Sequence, residues 1–171
     1  MTSPVIVVRE AEDEDLAAAG DISVAAYAAA GQLEPDSPYT ATLHDTAARA
    51  REAVLLVAER NGAVVGTVTI CPPGSPFHEI GGPDELEFRF LAVALEAQGT
   101  GVAHALLAAC AERAAAQGLS RFAICVRDNN HSAYSMYEHL GFTRMPDRDW
   151  SPRLGVDLLA LTRGLGTASS S

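Results

Sequence analysis

The segment Gln98-Gly99-Thr100-Gly101-Val102-Ala103-His104 joins an apolar run at residues 90–95 to an alanine-rich stretch at 105–117. A strand therefore feeds a glycine turn that opens directly into a helix. The first turn of a helix leaves backbone N–H groups unpartnered and carries partial positive charge. Glycine admits a phosphate close to those N–H groups, so the segment predicts an anion cradle. Three cradles compete. A P-loop needs Gly-x-x-x-x-Gly-Lys-Ser/Thr, and the chain contains no lysine. A dinucleotide fingerprint needs Gly-x-Gly-x-x-Gly/Ala. Gly99 and Gly101 fit it, but His104 is too bulky for the third position, and Asp128 lies further along than the usual ~20 residues for a ribose-binding acid. The third cradle, Gln/Arg-x-x-Gly-x-Gly/Ala, is matched by Gln98, Gly101 and Ala103.

Other reactive residue types are less informative. Cys71, Cys110 and Cys125 lack C-x-x-C spacing and lie in or beside apolar stretches, where cysteine serves as a small hydrophobe. The histidines at 44, 78, 104, 131 and 139 form no H-x-x-x-H or H-E-x-x-H pair, so no metal is expected.

The third cradle resembles the coenzyme A pyrophosphate loop of the GNAT superfamily of acyltransferases. Two flanking segments share the resemblance. Upstream, Glu87-Phe88-Arg89-Phe90-Leu91-Ala92-Val93 ends just before Gln98, where the family places the strand that lies along the pantetheine arm. Downstream, Asn130-x-x-Ala133-x-x-x-Tyr137-Glu138-His139-Leu140-Gly141-Phe142 is similar to the family's second signature, Asn-x-x-Ala-x-x-x-Tyr-x-x-x-Gly-Phe. Two motifs in the right order, separated by one helix and one strand, are far more specific than either alone. The resemblance covers almost the whole chain. It implies an N-acetyltransferase that moves an acetyl group from acetyl-CoA, as co-substrate, directly to a primary amine of a small molecule or peptide. A non-catalytic acyl-CoA-binding domain of the same fold is the alternative.

Acyl transfer from a thioester to an amine needs a base for the amine, donors for the carbonyl oxygen and a proton for the departing thiolate. On the resemblance, Glu87 stands where one branch of the family keeps its general base, with Glu85 and Asp84 behind it. Tyr137 stands where the family's tyrosine reaches the sulfur, and a phenol keeps its proton at neutral pH; Tyr134 is the fallback. Leu91, Ala92 and Val93 are expected along the pantetheine, with the Leu91 N–H polarising the acetyl carbonyl. Gln98, Gly99, Thr100, Gly101, Val102, Ala103 and His104 are expected at the pyrophosphate. Asn130 is expected on the arm, or as the cap of its own helix. Two departures from the family pattern stand out: His104 where arginine is common, and Ala94-Leu95 in place of a polar pair. With Gln98 neutral as well, phosphate binding rests on backbone N–H groups.

The net charge of −10, from 12 arginines against 22 acids, argues against a nucleic-acid partner. The same charge repels coenzyme A at long range and attracts cationic amines. The longest apolar runs, at 24–30 and 105–111, fall well short of the ~20 residues of a membrane span. The start of the chain lacks the pattern of a signal peptide. A cytoplasmic protein without a membrane partner follows, with a homodimer allowed. Residues 31–45 and 146–155 are expected to recognise the acceptor, offering Glu34, Asp36, Tyr39, Asp147, Asp149 and Trp150 as an acidic and aromatic set.

These groups must be held by a scaffold that hydrophobic patterning outlines. Strands are expected at 5–9, 54–60, 63–70, 86–94, 121–126, 142–145 and 156–162. Helices are expected at 16–30, broken near Gly20-Asp21, and at 46–52, 101–117 and 130–140. Asn61-Gly62 marks a tight hairpin, and residues 31–45 and 71–85 are long loops. Val102, Leu106, Cys110 and Ala114 recur every four residues as one sheet-facing stripe. The order predicts an α/β fold: one domain over residues 1–166, a single mixed, mostly antiparallel sheet flanked by helices on both faces, and a disordered tail at 167–171.

Overall fold

The computed structural model describes residues 4–165; the tail expected at 167–171 lies outside them. The chain runs β1 (Ile6–Glu10), α1 (Leu16–Ala29), α2 (Tyr39–His44), α3 (Thr46–Glu52), β2 (Val54–Arg60) and β3 (Ala63–Ile70). It continues through β4 (Glu85–Leu86), β5 (Phe88–Val93), α4 (Val102–Ala116), β6 (Arg121–Arg127) and α5 (His131–His139), and closes with β7 (Thr143–Arg144), β8 (Trp150–Arg153) and β9 (Val156–Gly164). No helix among the described residues is long and apolar enough to cross a membrane.

The strands form two hydrogen-bonded groups rather than the single sheet expected. One has the order β1-β2-β3-β5, all antiparallel. The other has the order β4-β6-β9-β7, with β8 also paired to β9; only the β4–β6 pairing is parallel. The separation arises inside the segment expected as one strand. Leu86 pairs with Phe122 of β6, whereas Phe88 pairs with Ile70 of β3. The chain thus changes partners at Glu87, and beyond that point β5 and β6 share no ladder.

Phe90 fixes the divergence. Its φ of 59° is rare for a bulky residue and costs about 1–3 kcal/mol. The register slips here: Arg89 faces Thr69, but Ala92 faces Thr67, so β5 carries one extra residue. Packing holds the strained residue in place. Its ring meets Phe77 edge-on at 6.1 Å, and the guanidiniums of Arg49 and Arg89 lie over it at 4.5 and 4.6 Å.

Most helices follow from the sequence pattern. In α4, Val102, Leu106, Cys110 and Ala114 are all at most 1% exposed. The helix can sit this close because Gly66 of β3 has no side chain. A Cβ there would lie 2.6 Å from Val102 Cγ1 and 3.1 Å from Leu106 Cδ1. α1 is unbroken, contrary to expectation. Gly20 does not end it but makes room, since a Cβ would meet the backbone and ring of His44 at 3.3 Å. The loop expected at 31–45 contains α2, and β8 was not anticipated at all.

Candidate active site

A cavity of about 760 Å³ opens where β5 and β6 part. Leu91, Ala92 and Val93 line one wall, Cys125, Val126 and Arg127 the other, and Gln98, Gly99, Gly101, Val102, Ala103 and His104 close one end. Asn130, just before α5, and Tyr137 within it line the cavity, as do Tyr27, Tyr39, Glu79, Arg89 and Arg153. The residues expected at the cofactor are thus brought together, apart from Thr100, which is not on the cavity wall.

The cradle has the backbone that the sequence implies. Gly99 and Gly101 have φ of 76° and 92°, conformations that favour glycine, and a Cβ on either would meet nothing within 4 Å. The space above the loop is open, and the N-terminus of α4 points its unpaired N–H groups toward it. Thr100 instead ties the loop down, donating to the Ala97 carbonyl and accepting from Arg60 Nη1 at 2.9 Å. Arg60, at the end of the β2–β3 hairpin, therefore brings a cation beside a loop that lacks one in sequence. Only the closed hairpin reveals it.

Gln98 donates through Nε2 to the Val93 carbonyl at 3.3 Å, occupying one of the acceptor sites expected to pair with pantetheine. Asn130 caps α5, its side chain accepting from the Ala133 N–H at 3.1 Å while the residue also faces the cavity. Tyr137 is 8% exposed, its ring held by Phe142 at 5.4 Å and Phe88 at 6.1 Å. Burial raises its pKa, so the phenol stays protonated at neutral pH. Tyr134 does not line the cavity.

Glu87 lies elsewhere. It is 1% exposed, does not line the cavity, and is occupied by backbone donors. Its Oε1 accepts from the N–H groups of Glu79, Ile80 and Gly81, each at 2.9 Å. Glu85 is likewise engaged, by Arg148 and by the Gly82 N–H at 2.7 Å. Asp84 accepts from Ser120 Oγ at 3.2 Å. The acid on the cavity wall is Glu79, in a loop whose proline- and glycine-rich sequence gave no sign of it.

Of the six residues expected to recognise the acceptor, only Tyr39 reaches the cavity. Asp149, for example, is spent on Arg144 and on the Ala160 N–H at 2.8 Å. The cysteines are not poised for covalent chemistry. Burial pushes the thiols of Cys71, Cys110 and Cys125 up to about 12, so thiolate is scarce at neutral pH. This favours direct transfer over an acyl-enzyme.

Residues 18–142, well over half of the chain, match the family described as Acetyltransferase (GNAT) family. The chain belongs to the GNAT acetyltransferases. Solved structures agree on the fold. An acetyltransferase of GNAT family from Staphylococcus aureus Mu50 superposes with a TM-score of 0.72 at 15% identity, covering 95% of this chain and 100% of that one. A ribosomal-protein-alanine N-acetyltransferase from Brucella melitensis gives 0.64 at 25% identity, over 92% and 99% of the two chains. The structure of yncA from Salmonella typhimurium with its cofactor acetyl-CoA gives 0.62 at 23% identity, over 96% of each. This GNAT protein is an enzyme whose co-substrate is acetyl-CoA and whose acceptor is an amine; the non-catalytic alternative is not favoured.

Proposed function

We propose that the acceptor amine attacks the thioester carbonyl of acetyl-CoA directly in the gap between β5 and β6, and that Tyr137 gives its proton to the departing thiolate. One observation carries this reading. The Tyr137 hydroxyl has no hydrogen-bond partner among the described residues, yet it belongs to the same cavity as the glycine cradle. A buried, protonated and unengaged phenol is suited to donate once, to whatever arrives beside it. Backbone N–H groups at Leu91 and along 98–104 supply the carbonyl and pyrophosphate contacts, with Arg60 as the nearby cation.

The acceptor is a primary amine of a small molecule or peptide. Relatives named for alanine of ribosomal protein support a peptide amine. The charged residues of the cavity wall narrow the chemistry further. Glu79 is paired with Arg89, whereas Arg127 and Arg153 line the wall with no ion pair among the described residues. That balance suits an amine whose other end carries a carboxylate. Cytoplasmic location fits three cysteines that are all unpaired, and assembly as a homodimer stays open to β1, an edge strand. A screen of amines with acetyl-CoA, following free thiol, tests the reading. Thiol release dependent on one amine class supports it; acetyl-CoA binding without release on any amine would sink it.

A further inference from the structure

We propose that Glu79, on the loop between β3 and β4, is the carboxylate that deprotonates the acceptor amine, and that Glu87 is the positioning residue that holds it there. This rests on the acetyl transfer proposed above.

Geometry separates the two acids. Glu79 lines the cavity with its side chain 15% exposed, whereas the Glu87 side chain is fully buried behind the loop. Glu87 grips the backbone of Glu79 with both oxygens, Oε1 at 2.9 Å and Oε2 at 3.1 Å, and then takes the next two N–H groups in turn. Three consecutive N–H groups converging on one carboxylate fix a loop that has no strand or helix of its own. The fit is close: a Cβ on Gly81 would lie 2.9 Å from His78 Nε2 and 3.3 Å from Glu87 Cβ. Two arginines hold the same loop from outside, Arg89 through the Phe77 carbonyl at 3.2 Å and Arg148 through the Ile80 carbonyl at 3.4 Å.

The surroundings of Glu79 suit a base. Arg89 Nε stands 3.5 Å from its Oε1, holding the side chain in place while leaving it able to accept a proton. Facing it are Arg89 from β5, His78 and Glu87 around its own loop, Cys71 just after β3, Tyr39 from α2, and Cys125 from β6. Burial is the largest influence on Glu79 and raises its pKa, Glu87 adds to the rise, and Arg89 and His78 oppose it. A carboxylate shifted upward is a stronger base than a free one.

The step balances as follows. An ammonium acceptor gives one proton to the Glu79 carboxylate. The freed lone pair forms the N–C bond, the C–S bond breaks with its electron pair on sulfur, and Tyr137 protonates that thiolate. The remaining excess proton on nitrogen returns to the phenolate, and the Glu79 carboxyl releases its proton to solvent.

Steady-state rates across pH 6–10 on the parent and three variants test the assignment, with acetyl-CoA affinity measured separately by calorimetry. Glu79→Gln should bind acetyl-CoA normally, lose about 10²-fold or more in kcat/KM at neutral pH, and recover part of the rate at high pH, where the amine is already free. Glu87→Gln keeps an oxygen for the three N–H groups and should keep the parent's pH profile within a few-fold in rate. Glu87→Ala removes the grip and should lose rate that Glu87→Gln retains. The opposite pattern, a changed profile in Glu87→Gln and a parallel one in Glu79→Gln, would assign the base to Glu87. Parallel profiles in both Gln variants would overturn the proposal as well. If the parent binds acetyl-CoA but releases no thiol with any amine, transfer itself is refuted, and the base with it.

Discussion

A phenol helps a thiolate leave only if it is protonated at working pH, lies beside the sulfur and is not spent on another partner. Tyr137 meets the first and third of these on the structure, through burial and an unengaged hydroxyl. Tyr137→Phe keeps the ring packed on Phe88 and Phe142 and removes only the proton. It should lower kcat by ~10²–10⁴ with acetyl-CoA affinity unchanged. A variant at full rate would leave the residue a packing role only. At the cradle, Gly101→Asp places a carboxylate in open space where an anion is expected and imposes a side chain on φ of 92°. Coenzyme A binding should disappear in calorimetry while the melting transition survives, lowered by the strain. Retained affinity would remove the pyrophosphate from this loop. The place of both residues on the cavity wall was legible in sequence because it depends on local spacing. The place of Glu87 behind the 79–81 loop was not, because the same spacing serves a base or a clamp. Only the position of the 79–81 loop tells them apart, and that loop lies across the strand in space, not beside it in sequence.

At the scale of elements, local chemistry marked some features clearly. Asn61 and Gly62, with φ of 54° and 80°, make the tight turn that their types require. The α4 stripe is buried along its length. What escaped were features set by contacts remote in sequence. The change of partner at Glu87 depends on β3 and β6 competing for one segment, and the bulge at Phe90 is packed by Arg49 and Phe77 from elsewhere in the chain as well as by its neighbour Arg89. Gly20 suggested a helix break because glycine disfavours helix, yet contact with His44 explains why it is there. Gly66 is the counterpart in the sheet. Gly66→Ala should lower stability by about 1–3 kcal/mol, because the added methyl meets Val102 Cγ1, on a stiff side chain, and the Ala92 carbonyl at 3.3 Å. The α4 N-terminus should shift with it, so a loss of acetyl-CoA affinity is expected alongside the loss in denaturant midpoint. A neutral or stabilising result would mean that α4 is not seated as tightly as the structure has it.

Over the whole molecule, charge and site pull in different directions. The chain carries −10, which at long range favours cations and disfavours anions. That field is screened within about 8–10 Å at ordinary ionic strength, so the cavity wall decides what is held. Its acid, Glu79, is paired with Arg89, leaving Arg127 and Arg153 without an ion pair among the described residues. Arg127 faces Leu158 across the β6–β9 ladder, and Arg153 pairs with Val156 at the turn between β8 and β9, so both cations stand at the same end of β6. On the function proposed above, Arg153, which lines the same cavity as Glu79, is the expected partner of a carboxylate on the acceptor. One charge-assisted contact of this kind is worth about 1.4 kcal/mol, or tenfold. An amino acid or short peptide acceptor should thus exceed its methyl ester about tenfold in kcat/KM, mostly through KM. Arg153→Gln should erase the difference without changing the rate on the ester. The preference should also weaken as salt is raised, since Arg153 is exposed at the mouth of the cavity. Equal rates on acid and ester, or a preference for polyamines, would mean that the acidic surface and not the cavity wall selects the acceptor.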